Sequence, residues 1–103
     1  MKKEELALAL GMGVQQLNEL LYIVKRTDES GHATYVTNFA AAEGLRKRGL
    51  VSRYTRYVVG TDWADERGVH SQWRQEKPMR QHEWYSTAAG DLIAKFIKEN
   101  TTA

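Results

Sequence analysis

From Val14 onward the apolar positions Val14, Leu17, Leu20, Leu21 and Val24 recur at three- and four-residue spacing, the repeat of one face of an α-helix. This stripe predicts an amphipathic helix from Val14 to about Lys25, followed by a polar turn at 27–31. Upstream, Lys3 to Leu10 reads as a short helix with Glu4 and Glu5 in its first turn, where the helix dipole favours acid. Gly11 and Gly13 separate the two, because glycines this close make a continuous helix costly. A third helical pattern starts at Thr37, a candidate N-cap, and puts Phe39, Ala42 and Leu45 on one face. Arg46, Lys47 and Arg48 occupy its last turn, and Gly49 supplies a left-handed stop.

Beyond Gly49 the pattern changes. Leu50 through Trp63 is rich in Val, Tyr, Thr and Trp and predicts a strand. Asp62 to Gly68 reads as a loop, and Val69 to Arg80 is weakly patterned, with Pro78 marking an edge or a loop. His82 to Ser86 predicts a second short strand, and Trp84 and Tyr57 are assigned to the core. His32 to Val36 reads either as a brief strand or as an extended entry to the third helix. Thr87 is placed to cap a last helix whose Ala89, Leu92, Ile93, Phe96 and Ile97 form an apolar stripe, fraying from Asn100. The fold class expected is α+β, one domain over 1–103: three N-terminal helices, a hairpin at about 51–86 and a closing helix at about 87–99.

Composition narrows the picture. With 103 residues, 42% hydrophobic content and one proline, the chain can fold around a single core. It has no cysteine, which excludes disulfides and thiolate metal sites. Its first residues form neither a leader nor a membrane span, so a soluble cytoplasmic protein is expected.

Net charge is +2, yet it is unevenly placed. Residues 1–45 balance to −2, residues 46–80 carry nine Lys or Arg against four acids, and residues 81–103 balance to −1. Such clustering is the footprint of a polyanion partner, or of a solvated hairpin whose arginines serve solubility. The cations concerned are Arg46, Lys47 and Arg48 at the helix end, and Arg53, Arg56, Arg67, Arg74, Lys77 and Arg80 along the hairpin. Tyr54, Tyr57, Trp63, Trp73 and Trp84 are interleaved with them, either to stack on bases or to cover a core face.

Leu45-Arg-Lys-Arg-Gly-Leu-Val-Ser-Arg53, together with Tyr85-Ser-Thr-Ala-Ala-Gly90, resembles the winged helix-turn-helix transcription regulators of the MarR and PadR type. The resemblance covers residues 37–96 loosely. It implies a winged-helix domain in which the helix at 37–48 enters a groove of double-stranded DNA, with Thr37 and Asn38 nearest the bases and the hairpin as the wing. It also implies a homodimer built through the C-terminal helix. The exposed face of the 37–48 helix is centred on Ala40, Gly44 and Lys47, with Glu43 and Arg48 at its edges; these positions are mostly small, and Ala and Gly suit close approach by phosphates or by another helix more than base reading.

A second resemblance lies upstream, where Lys3 to Tyr22 is similar to a helix-turn-helix: small Ala7, Gly11 at the turn, and apolar Leu6, Leu10, Leu17 and Leu20. In this register Gln15, Gln16, Asn18 and Glu19 point outward, and the first three are alternative DNA-binding residues. An ordinary pair of core helices fits the same pattern.

His70, His82, Asp62, Asp65 and Glu66 lack metal-ligand spacing, and no Ser/His/Asp order or phosphate-binding glycine loop stands out. No enzyme activity, metal or cofactor is expected. The function expected is that of a small DNA-binding transcriptional regulator. The alternative is a winged-helix interaction module, an inhibitor or adaptor of the kind viruses or mobile elements encode, with a protein partner instead of DNA.

Overall fold

The computed structural model describes residues 1–58, 62–65, 68–71 and 79–101, with side chains for 1–56 and 81–101. Helix α2 (Val14–Ser30) is the central element, and Leu17, Leu20 and Ile23 on it are fully buried. Around it pack α1 (Lys3–Ala9) through Leu6 and Ala7, and α3 (Phe39–Lys47) through Ala42 and Leu45. The core is completed by Val51, Trp84, Ala94 and Ile97 from the hairpin and the last helix. Each of the larger apolar side chains contributes about 1.5–3 kcal/mol by leaving water.

Helix α2 runs five residues past its predicted end. Its last turns are polar on the outside, where Glu29 pairs with Lys25 at 3.9 Å and Arg26 at 3.5 Å. Thr27 Oγ1 donates to the Ile23 carbonyl at 2.7 Å and accepts from the Ser86 N–H at 3.1 Å, tying the helix end to the sheet. The predicted polar turn is therefore the solvated face of a helix that stops at Gly31, in the left-handed region with φ 87°.

Strand β1 (Val51–Val58) pairs antiparallel with β4 (Met79–Ser86), in register from Val51 opposite Ser86 to Val58 opposite Met79. Between them β2 (Asp62–Asp65) and β3 (Gly68–Ser71) form a second antiparallel pair, from Asp62 opposite Ser71 to Asp65 opposite Gly68. The loop expected at 62–68 is thus partly strand. Its acids concealed a short β-pattern in which Trp63 is the backbone partner of His70 and Ala64 that of Val69. The ambiguous segment at 32–36 contributes one bridge, Ala33 to Trp84, closed by hydrogen bonds of 2.8 and 2.9 Å.

The two motifs singled out in the sequence meet in space. Helix α3 ends in a Schellman turn: the Leu50 N–H donates to the Leu45 carbonyl at 3.1 Å and the Gly49 N–H to the Arg46 carbonyl at 3.0 Å. Gly49, at φ 78°, takes the left-handed position. On the other side, Thr87 N–H donates to the Leu50 carbonyl at 3.1 Å and Thr87 Oγ1 to the Gly49 carbonyl at 2.7 Å. The same Thr87 oxygen caps α4 (Ala88–Asn100) by accepting the Gly90 N–H at 3.1 Å, as its position predicts.

Two predicted faces are rotated. On α4 the buried positions are Gly90, Ala94 and Ile97, with Ile93 half-buried, while Ala89, Leu92 and Phe96 are exposed. The close seat of Gly90 on Leu50 sets that rotation. On α3 Ala41 joins Ala42 and Leu45 inside, and Phe39 is 51% exposed. A first-turn residue lies at the rim of the sheet, and Phe39 reaches Trp84 edge-on at 5.7 Å instead of entering the core. Trp84 itself is buried, as expected. No helix among the described residues is long and apolar enough to cross a membrane.

Candidate nucleic-acid interface

Helix α3 begins one residue later than the sequence suggests. Asn38, not Thr37, is the N-cap: its Oδ1 accepts the Ala41 N–H at 3.0 Å. The extra reach of the amide explains the choice, since Asn38 Nδ2 also donates to Gln15 Oε1 at 2.8 Å. The Asn38 backbone N–H donates to Glu19 Oε1 at 2.6 Å. Glu19, expected on the outside, is 3% exposed, and its carboxylate lies at the positive end of α3.

From there α3 runs back along the first half of α2. Gly44 meets Gln16, and Arg48 Nη2 donates to the Gly11 carbonyl. A β-carbon on Gly44 would stand 2.2 Å from Gln16 Nε2, so the glycine is what admits that side chain. Gln16 is therefore turned into the α2–α3 contact and not outward, and its Oε1 is buried with no hydrogen-bond partner among the described residues. The face of α3 expected to be open is roofed at Gly44 and exposed at Ala40 and Lys47.

The arginines are largely committed to carboxylates. Arg46 grips Glu43 through Nε and Nη2, the latter at 2.8 Å, and Arg53 Nη1 donates to the same carboxylate from the sheet. The Arg46 hydrogen bond holds the Glu43 carboxyl below its ordinary range, against a smaller opposing effect of burial and with help from the Arg53 charge. The same contact raises Arg46. Arg53 also lies over Trp84 at 5.6 Å and Phe39 at 6.0 Å, a cation–π arrangement. On the opposite sheet face Glu83 accepts from Tyr85 Oη at 2.6 Å and Arg56 Nη1 at 3.1 Å, with His32 Nε2 at 4.0 Å. The Tyr85 bond, then Arg56, lowers the Glu83 carboxyl, and Tyr85 is raised in return.

Of the predicted contact residues, Lys47 is exposed, with no hydrogen bond or ion pair among the described residues, although its charge acts on Glu43. Arg67, Arg74, Lys77 and the side chain of Arg80 lie outside the described residues, as do the side chains of Tyr57, Trp63 and Trp73. Gln15 and Asn18 are exposed as predicted, and Lys3 Nζ donates to Asn18 Oδ1 at 3.3 Å. Gln15, Asn18, Glu19, Thr37 and Asn38 line one open cleft where α2 meets the entry to α3. Two sets of residues that the sequence assigned to separate helices therefore share a surface.

Glu19 is the member that sequence reasoning misplaced. The available signal was the polar series Gln15, Gln16 and Glu19, spaced to flank the apolar stripe of α2 and so to meet a neighbouring element. His82, weighed as a metal ligand, is instead hydrogen-bonded through Nδ1 to Thr55 Oγ1 at 3.0 Å. No cluster of three metal-binding side chains occurs among the described residues. In comparisons with known proteins, no family model, no curated protein and no solved structure matches this chain.

Proposed function

We propose that this chain is a small winged-helix protein that binds double-stranded DNA and acts as a regulator of transcription. The observation that carries the reading is the shared cleft of Gln15, Asn18, Thr37 and Asn38. Amide and hydroxyl side chains are the groups that recognise base edges in the major groove. Lys3 lies beside Asn18, and the exposed Lys47 and the arm of Arg48 not bound to Gly11, at the far end of α3, are further cations for phosphates. Arg53 and Arg56 are engaged by Glu43 and Glu83, so the share of the wing falls to Arg67, Arg74, Lys77 and Arg80. A homodimer through α4 would pair two such surfaces on a two-fold site.

The test is an anisotropy titration of random duplex DNA at low and moderate salt. Binding should weaken steeply with salt, and joint charge reversal of Arg46, Lys47 and Arg48 should abolish it while the far-ultraviolet circular dichroism is unchanged. A flat salt response, or a variant that binds like the parent, would sink the reading.

A second reading, a protein-interaction module on the same fold, draws on a different observation. The carboxylates of Glu43 and Glu83 are ion-paired with three arginines, and Leu92 and Phe96 are left exposed on α4. A chain that ignores duplex DNA at low salt yet stays folded would favour it.

A further inference from the structure

Glu43 sits where cations from two elements converge. On α3 it lies four residues after Phe39 and four before Lys47, with Arg46 beside it on the same side of the helix. Arg46 grips its Oε2 through Nε at 3.1 Å and Nη2 at 2.8 Å, and Arg53 reaches its Oε1 from β1. The Lys47 charge acts on the same carboxylate. Among the described residues, three positive charges therefore face one negative, and the acid leaves a surplus. Adjacent N–H groups of a guanidinium grip phosphate as they grip carboxylate. These donors can be reached from solvent, since the Arg46 side chain is 39% exposed and that of Arg53 26%. Arg53 is also held over Trp84 and Phe39, so it keeps its place when the acid turns away.

Resting on the DNA-binding reading, we propose that Arg46, Lys47 and Arg53 form a site for one backbone phosphate of the duplex, which Glu43 occupies in the free protein as a built-in competitor. A phosphate diester brings one negative charge and paired acceptor oxygens, as the carboxylate does, so the exchange leaves the guanidinium donors satisfied. It also adds Arg53, which the acid holds in the free protein, to the cations of the wing. Glu43 thus lowers affinity for DNA of any sequence, because phosphate contacts carry no base information.

The experiment is titration of random duplex DNA with the full chain and its Glu43→Gln variant across a series of salt concentrations. At low salt Glu43→Gln should bind about fivefold tighter than the parent, the effect of removing one like charge close to a phosphate. Its plot of log affinity against log salt should steepen by about one, as one further phosphate contact requires. Glu43→Asp, whose shorter acid holds Arg53 less well, should gain less in the same direction and serves if Glu43→Gln unfolds. Adding Arg53→Gln to Glu43→Gln should erase the gain. The matched control is Glu29→Gln, which makes the same charge change and frees Lys25 and Arg26 at the far end of α2; it should bind like the parent. If the parent binds but the Glu43 variants bind no tighter, or Glu29→Gln gains as much, or the gain survives Arg53→Gln, the phosphate site is overturned while the DNA-binding reading stands. If neither the parent nor a Glu43 variant binds duplex at low salt, both fall.

Discussion

The α-carbon of Gly90 is seated against the carbonyl oxygen of Leu50, so closely that a β-carbon at residue 90 would stand 2.0 Å from that oxygen. The obstacle is backbone, and it is held in place because the same carbonyl accepts the Thr87 N–H. Alanine in a helix interior normally gains up to about 1 kcal/mol over glycine. Here the overlap outweighs that gain, and Gly90→Ala should destabilise the fold by roughly 1–3 kcal/mol, the range for overpacking a site that cannot yield. Chemical denaturation of the variant checks this. Ala89→Gly, one position away on the exposed side, should lose only about the propensity difference.

This contact also marks what the sequence could tell. Leu45 to Val51 and Thr87 to Gly90 were legible because turns and caps are local: Gly49 needs the left-handed region and Thr87 needs a free N–H, whatever packs around them. Helix α2 was legible from its apolar spacing, but its end was not, because a polar run reads alike as a turn or as a solvated helical face. Asn38 displaced Thr37 as the cap through a partner twenty-three residues away, Gln15, that no local rule supplies. The inward turn of Gln16 and Glu19 depends likewise on α3 lying across α2. Side chains that reach between elements are settled by tertiary contact, and the candidate site consists largely of those.

Gly44 gives the contrasting case to Gly90. Its missing β-carbon leaves room for the Gln16 amide, the end of a flexible side chain rather than backbone. Gly44→Ala should therefore cost little, about 1 kcal/mol or less, as Gln16 swings aside and helix propensity compensates. Combining it with Gln16→Ala removes both the clash and the buried Oε1 that lacks a partner. The double variant should be at least as stable as the parent, and a double-mutant cycle should return a coupling of about 0.5–1 kcal/mol. Strictly additive losses would show that the two residues do not share this contact.

Acid should weaken the fold through Glu43 and Glu83. Both carboxyls are held below their ordinary value of 4.5, Glu43 chiefly by Arg46 and Glu83 chiefly by Tyr85. In the unfolded chain they take up protons near the ordinary value, before the folded chain does. Their contribution is thus complete above about pH 4.5 and is lost as pH falls through the lower folded values. Melting temperature followed from pH 7 to pH 3 should decline at the acid end. Glu83→Gln should start lower at neutral pH and show a shallower acid decline, because an amide cannot titrate. An unchanged slope in that variant would assign the acid loss to other carboxylates.

Leu92 and Phe96 lie one helical turn apart on α4, at 69% and 45% exposure, beside exposed Ala89. The apolar stripe predicted along α4 is therefore divided: Ile97, with Ala94 beside it, serves the core, and Ala89, Leu92 and Phe96 face outward. If α4 forms the proposed two-fold interface, Phe96→Glu should convert a dimer to a monomer in sedimentation equilibrium without lowering the unfolding midpoint of the monomeric unit, since the side chain it replaces contributes little to the core. Ile97→Glu is the opposite control, because Ile97 is fully buried and a charge there should unfold the domain itself. A parent that sediments as a monomer at all accessible concentrations would leave α4 without a self-partner. Its apolar edge would then favour the reading in which the chain docks on another protein.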